Sequence, residues 1–378
     1  MRRRGETSRG WPDRTAFSAL VVVLSLLGGL AALSVAAPSA SARAASSDSG
    51  SCVSAGTTGL TATMTAHSGQ LIRNQVINAT GCDIGIYVGP GTDSVTIAHV
   101  TVFGANEHGI FGQDTKDLTV RDSMVYGNGF ATNPKVAENK AIEVVGSWHP
   151  AILRNTVINN GYGGIGIADD GPLDPGAPNP GYAHAAVGAT IAGNWVANNL
   201  NDCGIVIAGY NAGVGARNNR VMDNTVIGNS PENPGGAIGQ IVVAADAPET
   251  SVLYTWVTDN HIEGSLLPGI VLHSNAPGDV IANTHLQDNR ISDNGAYPST
   301  FGTPNTPDLP GNFTGISIVA EAYGMPQSPI IKQTYVGYDT VSNDWYGVWL
   351  CQTVSTVIVN LATSSVLTPV TTCAAGGS

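Results

Sequence analysis

The sequence predicts an all-β chain folded as a right-handed parallel β-helix, a solenoid of about nine to ten coils in a single domain. Three observations predict it. A short strand phrase, Gly-Ile-x-Ile/Val or close to it, recurs nine times along 378 residues. A second phrase, apolar-x-x-Asn/Asp-x-apolar, runs between the copies. The composition, with 47 glycines and only 12% charged residues, suits short strands joined by tight bends rather than long helices.

The first residues have the character of an export signal. Arg2, Arg3, Arg4, Arg9 and Arg14 precede an uncharged apolar stretch from Ala16 to Leu33, and Ala40-Ser41-Ala42 offers a small-x-small cleavage site. Residues 1–42 are therefore expected to be a secretory signal peptide, with a retained membrane anchor as the alternative. The chain carries 16 Lys and Arg against 28 Asp and Glu. Five of the arginines and two of the acids precede residue 43, so the mature chain would carry about −15. That surface disfavours nucleic acid and anionic lipid, whose phosphates demand Lys and Arg. No membrane association is expected after cleavage.

Residues 43–69 are expected to form an N-terminal cap segment, 70–360 the β-helix, and 361–378 a disulfide-tied tail. An exported chain permits disulfides. The five cysteines fall as two pairs close in sequence at opposite ends, which predicts Cys52–Cys82 and Cys351–Cys373 and leaves Cys203 as a buried thiol.

The strand copies run from Gly85-Ile86-Tyr87-Val88 through Gly164-Ile165-Gly166-Ile167 and Gly204-Ile205-Val206-Ile207 to Gly347-Val348-Trp349-Leu350. One coil cannot bury its apolar face alone, but stacked coils can, with parallel strands about 4.8 Å apart. The Asn/Asp of the second phrase, among them Asn74, Asp122, Asn155, Asn194, Asn224, Asn260, Asn289 and Asp339, would stack as a ladder satisfying the backbone of one bend. Arg121 and Arg154 lie beside this ladder and are expected to pair with acids such as Asp122. Trp195, Trp256 and Trp345 fall at coil-building positions and are expected to pack.

On these repeats the chain resembles the right-handed parallel β-helix superfamily that includes the pectate-lyase-like folds, over about residues 70–360. The resemblance implies a solenoid with its function in a groove on one sheet, and no specific enzyme family is matched. A polygalacturonase-like order of Asn-Thr-Asp, Asp-Asp, Gly-His-Gly and Arg-Ile-Lys is not present: Asp169-Asp170 occurs, but the nearest further analogues are Glu107-His108-Gly109, upstream, and Arg290-Ile291-Ser292. The Asp-Pro-His of alginate epimerases is here Asp174-Pro175-Gly176.

Insertions at 130–139, 171–187, 230–236 and 296–313 flank the Gly-Ile strands and would wall them into a groove. Aligning the strands gives two outward columns, Tyr87, Phe111, Glu143, Gly166, Val206, Val242, Val271, Ser317, Trp349 and Gly89, Gln113, Val145, Ala168, Ala208, Ala244, His273, Val319, Cys351. These are unusually apolar for solvent-facing positions, so a loop, a second subunit or an apolar ligand should cover them. Just past the strand ends stands a polar row of Asp170, Tyr210, Asp246, Asn275 and Glu321.

The candidate catalytic residues are Glu143, Asp169, Asp170, Asp246 and His273. Candidate substrate-binding residues are Tyr210, Asn275, Glu321, Trp148, Lys140 and Tyr182. Two carboxylates with separated pKa values suffice for glycosidic cleavage, and two coils would separate Asp170 from Asp246 by about 9–10 Å. The expected function is a secreted carbohydrate-active enzyme, lyase-like or hydrolase-like, with no cofactor beyond a calcium ion that is left open. The alternatives are a non-catalytic extracellular binding or structural protein and an enzyme or carrier for an apolar small molecule. A homo-oligomer through the apolar outer face is left open.

Overall fold

The computed structural model describes residues 51–131, 134–135, 139–171, 183–231, 238–295, 314–321 and 327–373. The expected signal peptide lies outside them. The fold is a right-handed parallel β-helix. A twelve-stranded sheet, sheet 1, carries the Gly-Ile strands; beside it lie sheets 2 and 3, of ten strands each, and sheet 4, of six. One coil shows the path: Gly163–Ala168 in sheet 1, Ala186–Val187 in sheet 4, Thr190–Ala192 in sheet 2, Trp195–Ala197 in sheet 3, then Ile205–Gly209 back in sheet 1. Among the described residues the strands all pair parallel except Val53–Ser54, which runs antiparallel to Thr61–Thr65 and blocks that edge of sheet 1, and an isolated antiparallel bridge joins Asp170 to His184.

The parallel register extends beyond the expected limits of 70–360. Thr61–Thr65 pairs with Ile84–Val88, and Thr368–Thr372 pairs with Tyr346–Cys351, so parts of the expected cap and tail are coil strands too. The disulfides Cys52–Cys82 and Cys351–Cys373 tie these end strands down, and Cys203 is a buried thiol, as the spacing predicts.

Inside the coils, Ile86, Ile110, Ile142, Ile165, Ile205, Ile241, Ile270 and Ile316 stack in a column of complete burial. Each buried aliphatic of this kind contributes roughly 1.5–3 kcal/mol before conformational entropy. Glycine precedes six of these isoleucines (Ala141 and Gln240 precede the other two), and it is set there by close approach rather than by φ. A Cβ at Gly164 would stand 2.3 Å from the carbonyl oxygen of Gly204 in the next coil and 2.5 Å from Val196 Cγ1. Gly164→Ala is therefore expected to cost about 2–3 kcal/mol, read as a lowered urea midpoint. An unchanged midpoint would show that the coils can spread.

Two-residue bends separate sheets 2 and 3, and they correct the expected ladder by one position in two coils. The first residue of each bend takes left-handed φ, as at Asn74 (54°), Asp122 (52°), Arg154 (51°), Asp223 (55°) and Asp259 (57°). The second is buried from Val100 to Asp339 and forms the ladder from Ser123 on. Asn74 and Asp122 occupy the first place, and Ser123 takes the ladder place beside Asp122. From Asn155 the amides run Asn155, Asn194, Asn224, Asn260, Asn289 to Asp339, each Nδ2 donating to the next Oδ1 at 2.8–3.1 Å. A second ladder, Asn128, Asn160, Asn199, Asn229 and Gln240, lines the bend after sheet 3. Arg121 and Arg154 do pair with Asp122, at 2.8 Å each, and hold its carboxyl down at about 2.

Asp339 closes the first ladder with a carboxylate where an amide would serve. Burial raises it to about 6, against the hydrogen bonds from Asn289. The ionised form is therefore disfavoured in the fold: the penalty is absent below about 4, grows between 4 and 6, and is complete above. Asp339→Asn is expected to stabilise the protein by about 3 kcal/mol at pH 8 and by little at pH 4. A variant without this pH-dependent gain in urea midpoint would show that Asp339 is accommodated as a carboxylate.

The tryptophans depart from expectation. Trp195 and Trp345 are exposed, and Trp256 is half-buried on the outer face of sheet 2, stacked on His285 with Arg220 over its other side. Trp195 and Trp256 open three-residue strands with their side chains turned away from the coil interior, and Trp345 lies in the bend just before Tyr346–Cys351.

Candidate active site

The two outward columns of sheet 1 hold the expected register from Tyr87↔Phe111 to Ser317↔Trp349 and from Gln113↔Val145 to Val319↔Cys351, with Gly89 falling just past the end of its strand. They are not solvent-facing. Tyr87, Phe111, Val206, Val242 and Val271 are buried within the chain, in a second apolar cluster that includes Ala55, Leu60 and Leu267 from neighbouring segments. The chain thus buries these residues itself.

Into this apolar face is set a pocket of ≈ 200 Å³. Val206, Val242, Ala244 and Ile238 give it an apolar side, and Tyr210, Asp246, His273 and Asn275 a polar one. Asp202 and Cys203 line it as well, ahead of the strand Ile205–Gly209, whereas Tyr210 follows that strand. The pocket therefore runs along the strand direction.

Three successive coils build its charged end. Asp246 follows the strand Ile241–Ala245, His273 lies within Ile270–Ser274, and Glu321 follows Thr314–Ala320. Parallel stacking puts each coil one strand spacing from the next, so His273 stands between the two acids. Its Nδ1 is 3.2 Å from Asp246 Oδ1 and its Nε2 is 3.1 Å from Glu321 Oε1. Burial alone would depress the imidazole, but the two carboxylates outweigh it and hold His273 up at about 9. His273 is thus an imidazolium at neutral pH. The stabilisation it brings is complete below about 6.5 and is lost as pH rises through about 9. Close by, burial holds Asp279 up at about 7, with the Asp246 charge adding to the rise.

The remaining candidates fall elsewhere. Asp169 is a buried turn anchor: it accepts the backbone N–H groups of Tyr210 (2.7 Å) and Asn211 (3.2 Å). Asp170, also buried, accepts Gln113 Nε2 at 2.9 Å, and Gln113 in turn accepts the Tyr87 hydroxyl at 3.1 Å. Asp170 is thus engaged with Gln113, while Asp246 stands beside His273, which contacts Glu321 on its other side. Glu143 is buried beside His108, with 3.2 Å between Oε2 and Nδ1, and burial pushes that histidine down to about 4. Lys140 is buried too, and its Nζ is ion-paired with Asp202 on the pocket wall. Gly163 and Gly166 make room for its stem: a Cβ at Gly163 would fall 2.3 Å from Lys140 Cδ. Trp148 is half-exposed in the turn after the Glu143 strand, edge-on to His149, and does not line the pocket. Tyr182 lies outside the described residues, as do 296–313 and most of the 171–187 insertion.

Sequence reasoning thus placed Tyr210, Asp246, His273 and Asn275 in one site with Glu321 behind them. It missed Asp202 as a pocket residue. The available signal was its place immediately before Cys203-Gly204, at the opposite end of the strand from the polar row. Among the described residues no group of three or more His, Cys, Asp or Glu is arranged to hold a metal ion.

No family profile matches the chain, and no curated protein sequence matches it. Among solved structures, the chain is similar to the A-module of mannuronan C-5 epimerase AlgE4 of Azotobacter vinelandii, with a TM-score of 0.55 and 15% identity over 83% of this chain and 77% of that one. The A-module of the epimerase AlgE6 of the same organism gives a TM-score of 0.52 and 14% identity, over 82% and 74%. At these identities the likeness is one of fold.

Proposed function

We propose that the chain is a secreted carbohydrate-active enzyme that binds a unit of a polysaccharide or oligosaccharide in the sheet 1 pocket and transforms it by proton transfer. The observation that carries the reading is the Asp246–His273–Glu321 constellation set beside an apolar surface. A sugar ring has an apolar face of C–H groups and a rim of hydroxyls. Val206, Val242 and Ala244 suit the face; Tyr210, Asn275 and the carboxylates suit the rim. Asp246 is the candidate base and protonated His273 the candidate acid or charge stabiliser, with Glu321 holding the imidazole in place. The leader expected from the sequence and the two disulfides support an extracellular setting, and the epimerase modules that share the fold carry the same substrate class in their names.

The test is a reducing-sugar and 235 nm absorbance screen of the purified protein on neutral, amino and uronic polysaccharides, with and without calcium, beside Asp246→Asn. Product that disappears in the variant is expected. No turnover over a broad panel by a folded protein would remove the reading.

A second reading, an apolar small molecule as ligand, is favoured by the pocket's size, which is below the ~300 Å³ at which drug-sized ligand sites begin. It requires a small apolar compound to raise the melting temperature while no glycan does.

A further inference from the structure

Resting on the carbohydrate reading, we propose that the pocket takes a glycan unit without a carboxylate, neutral or amino-bearing, and discriminates against uronates. The argument is a charge balance. Two cations face the pocket region among the described residues that line it or touch its lining, Lys140 and His273. Lys140 is ion-paired with Asp202. His273 is held between Asp246 and Glu321, so two carboxylates share one imidazolium. No arginine is among the lining residues. A uronate entering here would meet excess negative charge inside an apolar, weakly screening wall, where one unit charge changes affinity by at least about tenfold. A hydroxyl meets no such penalty, and an ammonium gains.

The geometry of Lys140 strengthens the point. Its stem crosses a whole coil over Gly163 and Gly166 to reach Asp202, so the one lysine beside the pocket is anchored to the wall.

The charge balance also selects the chemistry. Elimination and C5 epimerisation both start by removing the proton next to a sugar carboxylate, and they need a cation to neutralise that carboxylate as charge builds. A substrate without the carboxylate is cleaved by water instead. The glycosidic C1–O bond breaks and the water oxygen bonds to C1. The leaving oxygen takes a proton from an acid, and the water gives one to a carboxylate.

The experiment compares neutral, amino and uronic oligosaccharides of the same linkages, over several linkages, for binding, reducing ends and 235 nm absorbance. It uses the wild-type protein and Glu321→Gln. The expected result is binding and reducing ends from neutral or amino glycans without 235 nm absorbance. At about pH 5.5, where His273 stays protonated with one carboxylate partner as well as with two, uronate affinity should rise about tenfold, relative to neutral glycan, in Glu321→Gln, whose melting curve shows that it is folded. Preferred uronate binding or 235 nm product overturns the proposal and leaves the carbohydrate reading standing. Unchanged discrimination in Glu321→Gln overturns the charge argument. Binding to none of the glycans removes the carbohydrate reading and this proposal with it.

Discussion

His273→Gln is expected to lower glycan turnover by about 10²–10⁴-fold while the protein stays folded, because general acid–base groups contribute on that scale. Gln keeps part of the hydrogen-bonding capacity between Asp246 and Glu321 but carries no titratable proton. The pH profile distinguishes a proton-transfer role from a packing role. With His273 held up at about 9 by its two carboxylates, wild-type turnover that needs the imidazolium falls as pH rises through about 9. Removing one partner, in Glu321→Gln, leaves burial less opposed and moves that alkaline limb down toward the ordinary histidine value. A structural role would lower stability in these variants without moving the limb. Full activity in His273→Gln would show that the chemistry lies elsewhere.

The reading of sheet 1 from sequence succeeds because its signals are local. Gly-Ile-x-Ile encodes both the inward side-chain period and the close approach that only glycine permits, so aligning nine copies also aligns the outward columns. Asp246, Asn275 and Glu321 are legible for the same reason: each follows the end of an aligned strand. The apolar character of the outward columns is legible as well, but its cause is not, since the cluster that buries them draws in residues outside the aligned phrase, such as Ala55, Leu60, Cys203 and Leu267.

Three features are hidden for a common reason. In each two-residue bend only the phase relative to the strands decides which residue takes left-handed φ and which enters the ladder. Asn74-Gln75 and Asp122-Ser123 carry their single Asx in the first, positive-φ place, so reading it as a ladder residue misplaces it, whereas Gly193-Asn194 carries its single Asx in the second. Asp169 and Asp170 resemble a catalytic pair in sequence, but the bend after their strand consumes them as acceptors. The Lys140–Asp202 ion pair spans 62 residues and depends on two missing Cβ atoms in the coil between, a relation that no spacing displays.

The same bends carry the largest expected effect on stability. Asn224 sits in the middle of the first ladder, nearly fully buried. Its Oδ1 accepts the backbone N–H and the Nδ2 of Asn194, both at 2.9 Å. Its Nδ2 donates to the Ile191 carbonyl and to Asn260 Oδ1, both at 3.0 Å. Asn224→Ala removes all four bonds and leaves polar groups of two neighbouring coils buried with fewer partners, each costing about 1–3 kcal/mol where water cannot replace the amide. A loss of about 3–5 kcal/mol is expected, measured as a lowered urea midpoint. Asp223, one residue earlier in the same bend, needs only its positive φ. Asp223→Gly should therefore change stability by less than about 1 kcal/mol, since glycine adopts that conformation freely. Equal losses at the two positions would mean that the bend is held by its backbone conformation and that the amide ladder contributes little; a loss confined to Asn224 assigns the stacking of coils in this region to the ladder.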